Sequence, residues 1–147
     1  MPNWCNNELR VSGPTEDVAR FKQQAIGHNP WETPPADKKP SPLNFHSLVP
    51  IPADVLKAGY NDTGYQWELK HWGARWGACD VQVVDEDTDY IFYHFDTAWS
   101  PAVPFIQNVC KQWPKLTFVL DYEEAGEGYK GICKGQGEHF ENHCIDT

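Results

Sequence analysis

The chain predicts an α+β domain in which helices cover an antiparallel sheet, and three observations carry that expectation. Apolar residues alternate over Trp4–Val11, Cys79–Val84, Tyr90–Thr97 and Leu116–Tyr122, the period of strands. Segments near 14–27 and 100–113 carry helical stripes instead. These elements run strand, helix, strand, strand, helix, strand, with an aromatic and proline-rich insert after the first helix.

Each element has a local cause. In the first strand Cys5, Leu9 and Val11 share one face, and Trp4, Asn6, Glu8 and Arg10 the other. Gly13-Pro14 ends it. A helix starts at Pro14 or Thr15, with Glu16 and Asp17 at its positive end, a stripe of Val18, Phe21 and Ala25, and Gly27 as its stop. Residues 28–44 hold Pro30, Pro34, Pro35, Pro40 and Pro42, which predicts a surface loop. Asn44–Val49 reads as a short extended piece. Pro50 and Pro52 precede a helical turn near Ala53–Ala58, and a helix over Gly64–Trp72 pairs Trp67 with His71 at i, i+4.

Cys79–Val84 and Tyr90–Thr97 form a hairpin around the acidic turn Asp85–Asp89. Ser100-Pro101 caps and opens the second helix, which buries Phe105, Ile106, Val109 and Trp113 before Pro114 ends it. Leu116, Phe118, Leu120 and Tyr122 alternate as a fourth strand. Gly126–Gly128 turns the chain into a fifth, Tyr129–Lys134, and the final dozen residues show no period. Without the insert and the last strand the order is βαββαβ, the ferredoxin-like sandwich. The expected organisation is one domain over 1–147, with an insert at about 28–77 and an extra C-terminal strand. Tyr90–Thr97 is apolar or aromatic on both faces, which a half-solvated strand would not be. The aromatic insert, residues 45–77, is expected to cover the second face.

Composition narrows the function. The 147 residues are 40% hydrophobic and 14% aromatic, enough for a folded core. No apolar run is long enough to span a membrane. The N-terminus, Met1-Pro2-Asn3-Trp4, has neither the basic nor the apolar region of a secretory signal. Five cysteines without a CxxC pair then suggest reduced thiols in a cytoplasm. The net charge is −9: residues 1–60 hold six acids and six bases, and residues 61–147 hold fifteen and six. So acidic a second half repels phosphate backbones and argues against general nucleic-acid binding. It suits a basic protein partner, a cation, or solubility alone.

The densest motif is Trp72-Gly73-Ala74-Arg75-Trp76-Gly77, followed by Thr97-Ala98-Trp99-Ser100-Pro101. Such rings either floor a binding pocket, with Arg75 as an anion donor, or simply seal a sheet face. If Leu9 and Val11 face the helices, then Asn6, His94, Asp96, Arg75 and Glu123 converge beneath the insert. A histidine with carboxylates is the minimum for acid–base work, but buried polar groups commonly just satisfy one another. Asp85, Asp87 and Asp89 have the spacing of a calcium loop, yet Tyr90 stands where that loop needs glycine. Cys133, His139, His143 and Cys144 match no zinc spacing. No phosphate loop, nucleophile elbow or metalloprotease helix is present. Neither catalytic residues nor a metal or cofactor is therefore assigned.

The combination of Pro2-Asn3-Trp4-Cys5-Asn6-Asn7, Leu48-Val49-Pro50-Ile51-Pro52, Trp72-Gly73-Ala74-Arg75-Trp76 and Thr97-Ala98-Trp99-Ser100-Pro101 resembles the YubB-type ferredoxin-like family of phage and plasmid proteins. The resemblance spans nearly the whole chain. It implies a ferredoxin-like domain, coding on a bacterial mobile element and an accessory role without an established activity. Where the family pattern has an Asp after the second Trp, this chain has Gly77, and Asp80 is the nearest acid.

The leading expectation is a non-enzymatic protein-binding modulator or inhibitor of a host or mobile-element factor, with Trp72, Arg75, Trp76, Trp99, Asn6, His94, Asp96 and Glu123 as binding candidates. The alternative is a pocket in which Arg75 grips an anionic small molecule between Trp72, Trp76 and Trp99. A blander option is a structural accessory domain without a pocket.

Overall fold

The computed structural model describes residues 2–32 and 37–147. Met1 and the predicted loop prolines Pro34 and Pro35 lie outside the described residues. The strands are β1 (Trp4–Ser12), β2 (Arg75–Asp87), β3 (Tyr90–Ala98), β4 (Thr117–Glu124), β5 (Tyr129–Gln136) and β6 (His139–Asp146). They form one antiparallel sheet in the order β2-β3-β1-β4-β5-β6. The first four strands have the ferredoxin-like order predicted from the periodicities, and the β5–β6 hairpin extends the sheet beyond β4.

The alternation in β1 explains the layering. Cys5, Asn7, Leu9 and Val11 are buried, and they stand beside Thr97, Phe95, Tyr93 and Ile91 of β3. Helix α1 (Thr15–Gln24) adds buried Val18 and Phe21, followed by Ala25 just past its end. Helix α5 (Val103–Gln112) adds Phe105, Ile106, Val109 and Cys110. Phe21 meets Phe118 and Trp113 edge-on, centroids 5.6 and 5.5 Å apart, so both helices share one core with β4.

The insert contains α2 (Phe45–Leu48), α3 (Ala53–Ala58), a π-turn over Tyr60–Gly64 and α4 (Tyr65–His71). Its position corrects the expectation from sequence. Phe45 stacks on Phe105 of α5, with centroids 3.7 Å apart and planes at 10°, and meets Phe95 and Trp72 edge-on. The insert thus joins α1 and α5 on the same side of the sheet and, among the described residues, leaves the second face uncovered. The aromatic character of β3 on that face has a smaller cause. The Arg10 guanidinium lies 5.0 Å from the Phe92 ring and 5.6 Å from the Tyr90 ring, and the Tyr90 hydroxyl donates to Asp85 at 2.7 Å.

Other boundaries differ for identifiable reasons. Asn44–Val49 is not extended: the Asn44 side chain accepts from the Ser47 amide at 2.9 Å and nucleates the one-turn α2. Strand β2 begins at Arg75, so the tryptophan motif runs into it, and Asp85–Asp87 lie within the ladder rather than in a turn. Ser100 does not cap α5; its hydroxyl donates to the Gly73 carbonyl at 2.5 Å, tying the β3–α5 loop to the motif. The aperiodic last residues form β6, whose inner face sets Phe140 against the core and Asn142 under Tyr122, which donates to it at 2.7 Å.

Because Phe45 joins insert to core, Phe45→Ala is expected to lower the unfolding free energy by about 3–5 kcal/mol. Denaturant titration checks this, and a loss below about 1 kcal/mol would show that the insert is not part of the core.

Candidate functional site

The motif divides into two parts with opposite fates. Trp72 is 2% exposed; its ring nitrogen donates to the Val49 carbonyl at 3.0 Å, and its ring meets Phe45 and Trp67 edge-on. It is a core residue. Trp76 is 42% exposed, and Trp4 and Trp99 are 40% exposed each. Their rings form a ridge: centroids lie 6.4 Å apart for Trp4–Trp76 and 5.8 Å apart for Trp76–Trp99.

Backbone geometry builds this ridge. Gly73 and Gly77 have φ of 85° and 71°, and a Cβ at Gly73 would lie 2.4 Å from Pro104. Trp76 and Trp99 are themselves left-handed, with φ of 71° and 64°, a conformation that costs a non-glycine residue about 1–2 kcal/mol. Specific bonds hold both residues there. The Trp76 amide donates to Glu68 Oε1 at 2.8 Å; the Trp99 amide donates to Asn3 at 2.8 Å, and its carbonyl accepts from the Tyr129 hydroxyl at 3.1 Å.

Glu68 on α4 is fully buried, and its second oxygen accepts from the Trp31 ring nitrogen at 2.9 Å. Burial raises its pKa, against the lowering effect of those two donors. Sequence reasoning missed Glu68, although it lies one helical turn before Trp72 and so on the same helix face. It also missed Tyr65 as a partner of Arg75. The Arg75 guanidinium lies 5.0 Å from the Tyr65 ring and 5.4 Å from the Trp99 ring, stacked rather than paired with a carboxylate among the described residues.

The remaining candidates share the uncovered sheet face. Register sets Cys79, Asp96, Asn6, Glu123 and Lys130 in one row across five strands, and Gln82, His94, Glu8 and Asp121 in the next. Asn6, His94, Asp96 and Glu123 thus stand together on the sheet face away from the insert; Asn6 and Glu123 are exposed, His94 and Asp96 half-buried, and Asp96 Oδ1 is buried without a hydrogen-bond partner among the described residues. A shallow groove of about 610 Å³ includes Asn6, Glu8, His94, Glu123, Lys130 and His143. His94 Nε2 is 3.9 Å from Asp96 Oδ1, too far for a hydrogen bond. Burial raises the Asp96 carboxyl above its ordinary value, with His94 opposing the shift. Burial also pushes the neighbouring Cys79 thiol up to about 11, which keeps it protonated at neutral pH.

A second cleft, of about 540 Å³, lies between residues 27–32 and 38–46 and the start of β2; Glu68, Trp72 and Trp76 reach it, but Arg75 and Trp99 do not line it. The three rings and the guanidinium of the small-molecule alternative therefore do not enclose one space. Among the described residues, no group of three or more His, Cys, Asp or Glu is arranged to hold a metal ion. Nor is any helix long and apolar enough to cross a membrane.

Residues 72–147, just over half of the chain, match the family model described as the ferredoxin-like domain in Api92-like protein. The match starts at Trp72 and covers the motif and β2 to β6. The crystal structure of the protein api92 from Yersinia pseudotuberculosis superposes with a TM-score of 0.76 at 8% identity, covering 100% of this chain and 99% of that one. At that identity the likeness concerns the fold. No curated protein matches the chain.

The Glu68 carboxylate gives two linked predictions. Glu68→Ala leaves two half-buried N–H donors without their acceptor and should cost about 2–4 kcal/mol in denaturant unfolding. Because the folded-state pKa is raised, the contribution of Glu68 is greatest below its unfolded value and is lost as pH rises through the folded one. The stability of wild type relative to Glu68→Gln should therefore fall as pH rises from the ordinary carboxyl value of 4.5 through the raised folded-state one. A constant difference would show that the carboxylate does not titrate in that window.

Proposed function

This chain belongs to the family of the ferredoxin-like domain in Api92-like protein, and we propose that it is a non-enzymatic protein-binding modulator. It engages a host or mobile-element protein through the Trp4–Trp76–Trp99 ridge and the acidic sheet face beside it. The YubB-type resemblance supports a phage or plasmid origin and a bacterial cytoplasm as the setting. The observation that carries the reading is the ridge itself, three contiguous tryptophan rings left about two-fifths exposed. Exposed tryptophan is the residue type most enriched at the energetic centres of protein interfaces.

Strain supports the same reading. Trp76 and Trp99 are held in left-handed backbone by bonds from Glu68, Asn3 and Tyr129, so the ridge is presented rigidly. A rigid ring loses little conformational freedom on binding. Asp96, Glu8, Asp121 and Glu123 on the adjoining face favour a partner with a basic rim. Arg75, stacked on Tyr65 and Trp99, offers that partner one carboxylate contact at the edge of the ridge.

Affinity capture from bacterial lysate tests the reading. At low salt the wild-type chain should retain a protein, and so should Ile26→Ala, which trims an exposed side chain outside the ridge. Trp99→Ala should retain at least about tenfold less of that protein, since hot-spot truncations cost about 2 kcal/mol or more. Equal retention by Trp99→Ala, or none by the wild type, would remove the ridge from the account.

A further inference from the structure

The two edges of the sheet are built differently. Strand β2 is irregular, with register shifts between Arg75/Cys79, Cys79/Gln82 and Val83/Asp85, and it carries Asp80, Asp85, Glu86 and Asp87. Bulges and charges of this kind keep a foreign strand from adding to an edge. Strand β6 has no such irregularity. It pairs with β5 in unbroken register from His139↔Gln136 to Asp146↔Tyr129, and it contains no proline, lysine or arginine.

The phase of the β5–β6 ladder shows which groups β6 leaves free. Thr147 continues the strand register, and its amide donates to the Gly128 carbonyl at 2.6 Å. Antiparallel bonding alternates, so His139, Glu141, His143 and Ile145 bond to β5, while Phe140, Asn142, Cys144 and Asp146 turn N–H and C=O outward. Among the described residues, nothing pairs with those outward groups.

We propose that β6 is a self-association edge, at which a second copy of this chain pairs antiparallel to β6 about a two-fold axis at Asn142. Two six-stranded sheets then become one continuous sheet. This register is favoured by what it sets opposite what. Centred at Asn142, Glu141 faces His143 of the second copy, and the symmetry repeats the contact. An imidazole N–H can donate to a carboxylate in either charge state. Centred one residue earlier, Glu141 faces itself; one residue later, His143 faces itself. Like pairs directly opposite destabilise a ladder, and opposite pairs stabilise it. The Asn142 register also keeps His139–Ile145 paired, nearly the whole strand. This edge is distinct from the tryptophan ridge, so the inference stands independently of the proposed function.

Sedimentation equilibrium of the 147-residue chain tests the proposal over about 5–500 µM, the range suited to a small strand-edge interface. The mass should rise from 16.8 kDa towards twice that value. His143→Glu sets Glu opposite Glu141 twice and should weaken the dimer at least tenfold. The exchange Glu141→Lys with His143→Glu restores opposite charges and should recover dimerisation. Both side chains are about two-thirds exposed or more, and circular dichroism checks that the variants fold. A monomer at every concentration, a dimer indifferent to His143→Glu, or failure of the double exchange to recover it would overturn the proposal.

Discussion

The stacking of Phe45 on Phe105 fixes what the rest of the molecule can do. The ring sits 3.7 Å from its partner and is nearly parallel to it, with Phe95 and Trp72 edge-on around it. Aromatic burial of this extent is worth about 1.5–3 kcal/mol for one side chain, so the insert is drawn firmly to the helical side. Two consequences follow. The helical layer grows to cover the β2–β3 end of the sheet, and the opposite sheet face stays in water. Gly77 belongs to the same arrangement, since a Cβ there would lie 3.3 Å from the Phe45 ring.

Once α4 is placed by that packing, Glu68 lies beneath the start of β2 and takes the Trp76 amide. A buried carboxylate with a raised pKa is a costly device. Here it satisfies two half-buried donors, and it holds Trp76 in a conformation that a bulky residue seldom adopts. The chain of cause runs from core packing, through one carboxylate, to an exposed ridge of three rings. Trp72 and Trp76 stand four residues apart in one motif and do unrelated work.

Much of the fold was legible in the sequence, because period-2 alternation in β1, β3 and β4 and helical stripes in α1 and α5 record burial directly. Strand β6 was not, because Phe140 is the one residue of its inner face that packs on the core, and Asn142 beside it takes a hydrogen bond from Tyr122 instead. The side on which the insert lies was not legible either. Phe92 and Tyr90 suggested a covered face, and a cation over their rings does that work instead. For the candidate site, the sequence brought Asn6, His94, Asp96 and Glu123 to one face, since strand parity decides that. It could not separate Trp72 from Trp76, because the break between them lies in left-handed backbone at Gly73, Trp76 and Gly77. Glu68 was hidden because an acid in a short helix ordinarily points to water.

The central claim is that the insert packs on the helical side and leaves the ridge in solvent. Fluorine NMR of the chain carrying 5-fluorotryptophan, with a soluble paramagnetic agent, measures this directly. The account requires strong broadening of the Trp4, Trp76 and Trp99 signals and protection of Trp72. Protection of Trp76 and Trp99 equal to that of Trp72 would mean that the insert closes over the sheet face, and would contradict it.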